Sequence, residues 1–86
     1  MRDDKPGGRD GAAIVLDLRG LNCPMPVLRM RKALRALSPG AALIIECTDP
    51  LAAIDIPHCV RQDGHTLESQ TRREDALVFV VRRGAG

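Results

Sequence analysis

The stretch Cys23-Pro24-Met25-Pro26 places a thiol directly before two prolines in alternate positions, at the start of a segment with helical patterning. Proline disfavours helical dihedrals in the residue before it and is well suited to the first helical position. This spacing predicts an extended Cys23 acting as N-cap, with Pro24 as the first helical residue. Asn22 is chemically the better cap, but using it would force Cys23 into the conformation that Pro24 disfavours. Pro24 and Pro26 carry no N–H, so Met25 and Val27 hold the unpaired donors of the first turn, and the cap sulfur is their nearest acceptor. A thiolate there would also feel the positive end of the helix dipole, which predicts a thiol pKa lowered from about 8.5 towards neutrality. Two fixed φ angles stiffen the turn, so the expected chemistry is that of an exposed, rigidly held nucleophile.

The alternative is a small apolar plug, since free cysteine is often buried. A plug, however, needs no pair of prolines stripping donors from its own helix start. No cysteine lies three positions to either side, so this is not a dithiol switch, and the distant His58 and His65 give no grounds for a Cys-His pair. Cys47 and Cys59 share faces with Leu43 and Ile45 and with Ile56 and Val60, and are expected in the core. His58 and Cys59, being adjacent, point about 100° apart on a helix and cannot converge on an ion, so neither a metal nor any other cofactor is expected.

Several charged residues sit close in sequence to the thiol. Arg29, Arg31, Lys32 and Arg35, with no acidic residue between 24 and 38, give the first helix a basic outer face. That face is either simply solvated or steers an acidic partner towards Cys23. Leu28 and Met25 would supply apolar contact to such a partner, and Arg19 is expected near Cys23, adding positive potential. Asp49, before Pro50, is read as a turn former.

These residues must be positioned by a small scaffold. "IVLDL" from Ile14 alternates as a strand, and Gly20 ends it. Residues 24–38 read as a helix stopped by Ser38-Pro39-Gly40, and residues 42–48 as a second strand. Asp55 and Pro57 read as the cap and first turn of a second helix ending near Gly64. A polar edge strand over 66–73, a turn at Glu74-Asp75 and an apolar strand from Ala76 complete the order βαβαββ. The expected class is α/β: a two-layer sandwich of a four-stranded mixed sheet with two helices on one face. The other face would show Val15, Asp17, Ile44, Glu46, Thr48, Val78 and Val80.

The chain has 86 residues, which sets one domain, expected over 13–84 behind a disordered tail at 1–12. Phe79 is the one aromatic residue, so base-stacking platforms are excluded, and the net charge of +2 is too small to argue for nucleic-acid or membrane binding. Three cysteines form no disulfide framework, and the residues contain no membrane-length apolar run or secretory signal, so a cytoplasmic protein is expected.

The segment "LDLRGLNCPMPVLRMRKAL" at 16–34, followed by "PG", an apolar strand, "TDP" at 48–50, "DIP" at 55–57 and "GH" at 64–65, resembles the TusA/SirA-like sulfur-carrier family. The resemblance runs over residues 14–83, and its Cys-Pro-x-Pro motif is complete. It implies a two-layer α/β sandwich in which Cys23 accepts a sulfane sulfur as a persulfide and hands it on. It also implies a donor protein such as a cysteine desulfurase, and an acceptor serving tRNA thiolation, sulfur metabolism or cofactor assembly. Two rival readings rest on the residues alone. One is a nucleic-acid-binding or regulatory module using Arg29 and Lys32, and the other is an adaptor using the open sheet face.

Overall fold

The computed structural model describes residues 13–84. The tail expected at 1–12 therefore lies outside the described residues. The elements are β1 (Ala13–Leu18), α1 (Met25–Arg35), β2 (Ala42–Cys47), α2 (Ala52–Gln62), β3 (Thr66–Arg73) and β4 (Ala76–Arg82). This is the expected βαβαββ order.

The sheet runs β1-β2-β4-β3, with β1 parallel to β2 and β4 antiparallel to both of its neighbours. From β1 to β2 and from β2 to β3 the chain steps in the same direction across the sheet, so right-handed crossovers put both helices on one face. Strand alternation fills the space beneath them. Leu43, Ile45 and Cys47 of β2 stand opposite Val81, Phe79 and Leu77 of β4. These six side chains pack with Met30 and Leu34 of α1 and with Ile56, Cys59 and Val60 of α2 in one buried cluster. Phe79 is fully buried and is the largest side chain in it.

The opposite face carries Ile44 beside Val80 and Glu46 beside Val78, with Val15 and Asp17 alongside on β1. β3 is exposed along almost its whole length, as its polar sequence requires of an edge strand. Glu74 and Asp75 form the two-residue turn that closes on the Arg73–Ala76 pair.

Both helices begin elsewhere than the sequence implied. α1 starts at Met25, with Pro24 in the N-cap position, and ends at Arg35. The Met25 N–H that was to seek the cysteine sulfur is instead accepted by the Asn22 carbonyl at 2.8 Å, closing a turn ahead of the helix. α2 starts three residues before Asp55. Asp49 accepts the Leu51 N–H on its side chain at 3.0 Å and the Ala52 N–H on its carbonyl at 3.0 Å, so the Asp49-Pro50 turn runs straight into helix. Pro57 therefore lies inside α2. Its missing N–H leaves the Ala53 carbonyl without its usual partner, and the Gln70 side-chain amide from β3 donates to that oxygen at 3.5 Å.

Candidate functional site

Three segments meet where the parallel strands β1 and β2 end. The connection after β1 turns on Gly20, whose φ of +84° lies in the left-handed region that favours glycine. The Gly20 N–H then donates to Thr48 Oγ1 at 2.9 Å, which ties this connection to the end of β2. Three residues on, the Cys23 N–H donates to Asp49 Oδ2 at 2.6 Å. Asp49 is only 9% exposed, and its two oxygens are divided between Cys23 and Leu51. One carboxylate thus fixes both the thiol connection and the entry to α2. The Cys23–Pro24 peptide bond is cis.

The sulfur itself is exposed. It makes no cap hydrogen bond to α1 and instead meets the first turn of α2, where Sγ lies 3.1 Å from Asp55 Oδ2. In that contact the S–H donates and the carboxylate accepts, which favours the protonated thiol. The consequence reverses the expectation of a thiol ionised near neutrality. The hydrogen bond to Asp55 pushes the Cys23 thiol above its ordinary value, and desolvation and the negative charges of Asp55 and Asp49 act in the same direction. A helix N-terminus offers about half a positive charge spread over its first turn, which two nearby full negative charges outweigh.

Arg19 does not offset them. Its guanidinium is spent on Asp17, at 2.9 and 3.0 Å, with Glu46 at 3.8 Å, on the side of the sheet away from the helices. On α1 the basic face is also partly neutralised, because Arg31 pairs with Asp63 of the α2 C-cap at 2.8 Å. Arg29 and Lys32 remain exposed, beside a groove shared with Leu16, Ala33 and Ala36.

Exposed apolar side chains stand on the two segments that meet at the sulfur: Met25 and Leu28 on α1, as expected, and Leu51 and Ile54 at the start of α2, which are 53% and 68% exposed. The sequence alone does not place Leu51, Ile54 and Asp55 at the thiol, because they lie about thirty residues from the motif. Their signal was the Asp49-Pro50 turn, which brings the start of α2 to the motif. Cys47 and Cys59 are buried in the core, where burial raises the Cys47 thiol to about 11. Among the described residues no group of His, Cys, Asp or Glu is placed to hold a metal ion, and no helix is long and apolar enough to cross a membrane.

The geometry therefore presents one exposed thiol, on a braced turn and facing a carboxylate, with exposed apolar side chains on α1 and at the start of α2. Residues 14–83, all of the sandwich but the first residue of β1, match the sulfurtransferase TusA family. The chain belongs to that family. Among its TusA-type relatives, the putative sulfur carrier protein YrkI of Bacillus subtilis is 40% identical over 70 residues, covering 81% of this chain and 93% of the relative. The sulfur carrier protein TusA of Pseudomonas aeruginosa is 37% identical over 71 residues, covering 83% and 90%. That of Allochromatium vinosum is 35% identical over 68 residues, covering 79% and 90%. The resemblance carried by the Cys-Pro-x-Pro motif and the expected sandwich is thus the family relationship itself.

Proposed function

We propose that the chain is a sulfur carrier that holds a sulfane sulfur as a persulfide on Cys23 and relays it between partner proteins. In loading, Cys23 Sγ attacks the terminal sulfur of a donor persulfide. A new S–S bond forms at Cys23, the donor's S–S bond breaks, and its electron pair leaves on the donor's inner sulfur, which ends as a thiol. In unloading, an acceptor thiolate attacks the terminal sulfur and Cys23 departs with the bonding pair. No net oxidation accompanies either step. The single observation that carries this reading is the exposed Cys23 sulfur on its braced turn, in a chain of this family.

The raised thiol pKa bears on what kind of carrier this is. A thiolate of higher pKa is the poorer leaving group, so a persulfide on Cys23 is slow to yield its sulfur to stray thiols and waits for a positioned acceptor. Donor and acceptor proteins follow from such a role, and a cysteine desulfurase is the donor class proposed. Pro24 and Pro26 stiffen the support, and Met25 and Leu28, with Leu51 and Ile54, supply the apolar docking surface, flanked by Arg29 and Lys32. Arg19 drops out as a contributor of charge at the sulfur. A cytoplasmic location is proposed with it.

Incubation with a cysteine desulfurase and cysteine, followed by intact-mass measurement, tests the reading. The wild type should gain the mass of one sulfur, and Cys23→Ala should gain none. An equal gain in both would overturn it. The nucleic-acid reading has less behind it, since Arg31 is tied to Asp63 and Phe79 is buried.

A further inference from the structure

A carrier thiol held protonated must lose that proton as it bonds to the incoming sulfur and regain it when the load departs. The position of the acceptor is already built. Asp55 Oδ2 sits 3.1 Å from Sγ, within the reach required of a general acid or base. The carboxylate is partly buried, at the first turn of α2, and its backbone is fixed there by the Asp55 N–H donated to the Leu51 carbonyl at 2.9 Å. The remaining charged neighbours do not compete for the role. Asp49 is engaged by two backbone N–H groups, Arg19 is turned to Asp17, and His58, one helical turn beyond Asp55, is exposed.

We propose that Asp55 is the proton-exchange partner of Cys23 in sulfur transfer. This rests on the carrier reading and deepens it. In loading, the Cys23 S–H proton passes to Asp55 as the Sγ–S bond forms and the donor's S–S bond breaks. Asp55 then gives the proton to the departing donor sulfur, whose electron pair accepts it. In unloading the order reverses: the acceptor's thiol proton reaches Asp55, and Asp55 returns it to Sγ as Cys23 leaves. Each transfer returns Asp55 to the form in which it began.

The test compares wild type, Asp55→Asn and Asp55→Glu, with glutathione persulfide as a small donor that needs no docking surface. Thiolate absorbance, read against Cys23→Ala to remove the buried cysteines, gives the titration midpoint of Cys23. In Asp55→Asn the midpoint should fall, because the carboxylate that favours the thiol is gone. The rate of sulfur uptake divided by the thiolate fraction should nevertheless drop by about a hundredfold, the scale of a lost general base. Lower intrinsic nucleophilicity accounts for only about threefold per unit of pKa, given a Brønsted slope of about 0.4–0.5. Asp55→Glu should recover part of both effects. An unmoved midpoint, or an uptake rate that follows thiolate fraction within that threefold allowance, would overturn the proposal. A wild type whose thiol titrates as described but which takes up no sulfur would instead overturn the carrier reading.

Discussion

Replacing Asp49 by Asn changes one oxygen for an NH₂ group at the point where two segments of the site are joined. In the wild type Oδ2 accepts the Cys23 N–H at 2.6 Å and Oδ1 accepts the Leu51 N–H at 3.0 Å, in a setting only 9% exposed. An asparagine keeps one acceptor and faces the other N–H with a donor. One charge-assisted hydrogen bond is lost, worth about 1.5–3 kcal/mol, and the surviving one is weakened to the neutral scale of about 1 kcal/mol. A total loss of about 2–5 kcal/mol follows from those two changes. For a domain of this size each kcal/mol moves Tm by about 4–8 °C, so Asp49→Asn should melt about 8–40 °C below wild type. Thermal unfolding followed by circular dichroism at pH 7 measures it, with the exposed Asp75→Asn as a control that should stay close to wild type. Hydrogen exchange should localise the effect to the Cys23 and Leu51 amides. A Tm within about 3 °C of wild type would refute the idea that this carboxylate braces the thiol turn.

Other consequences can be checked singly. Under native conditions iodoacetamide should add one adduct, at Cys23, and after denaturation three, because Cys47 and Cys59 are buried; two or more native adducts would contradict the packing. Phe79→Ala should cost about 3–5 kcal/mol in denaturant unfolding, enough to leave a small domain marginal. The Asp17 carboxyl, held by Arg19, should titrate at about 2 by NMR against an ordinary 3.8. Because its folded value is depressed, whatever stability the pair adds is complete above the unfolded value and disappears as pH falls through about 2. Arg19→Gln should return that midpoint towards the ordinary one. Arg31→Gln, which breaks a partly exposed pair with Asp63, should lower the melting temperature only slightly, and less at high salt.

The sandwich was legible because alternation along β1 and β2 states which side chains face inward, the helical stripe of α1 matches that face, and β4 is apolar on both faces. The placing of both helices on one face followed from counting four strands and two helices, whereas the strand order β1-β2-β4-β3 came only with the structure. The thiol's surroundings were not legible to the same degree. Periodicity assigns a residue to a face of its own element but does not name what approaches from another. Asp49 and Asp55 come to Cys23 from 26 and 32 positions away. Asp55, two residues before Pro57, has the pattern of a helix cap. That reading was displaced because Asp49-Pro50 nucleated the helix earlier, leaving the Asp55 side chain free to meet the sulfur. Local logic at Cys23 likewise assumed that the Met25 amide had no other acceptor, and the Asn22 carbonyl supplied one.

Site-resolved mapping of the bound sulfur tests the central claim most directly. The wild type is loaded with desulfurase and cysteine, alkylated without reduction, cleaved, and its peptides weighed. One additional sulfur should appear on the peptide containing Cys23 and be lost when an acceptor thiol is added, with Cys47→Ala and Cys59→Ala loading as wild type does. Sulfur carried on Cys47 or Cys59, or undiminished loading of Cys23→Ala, would contradict the account.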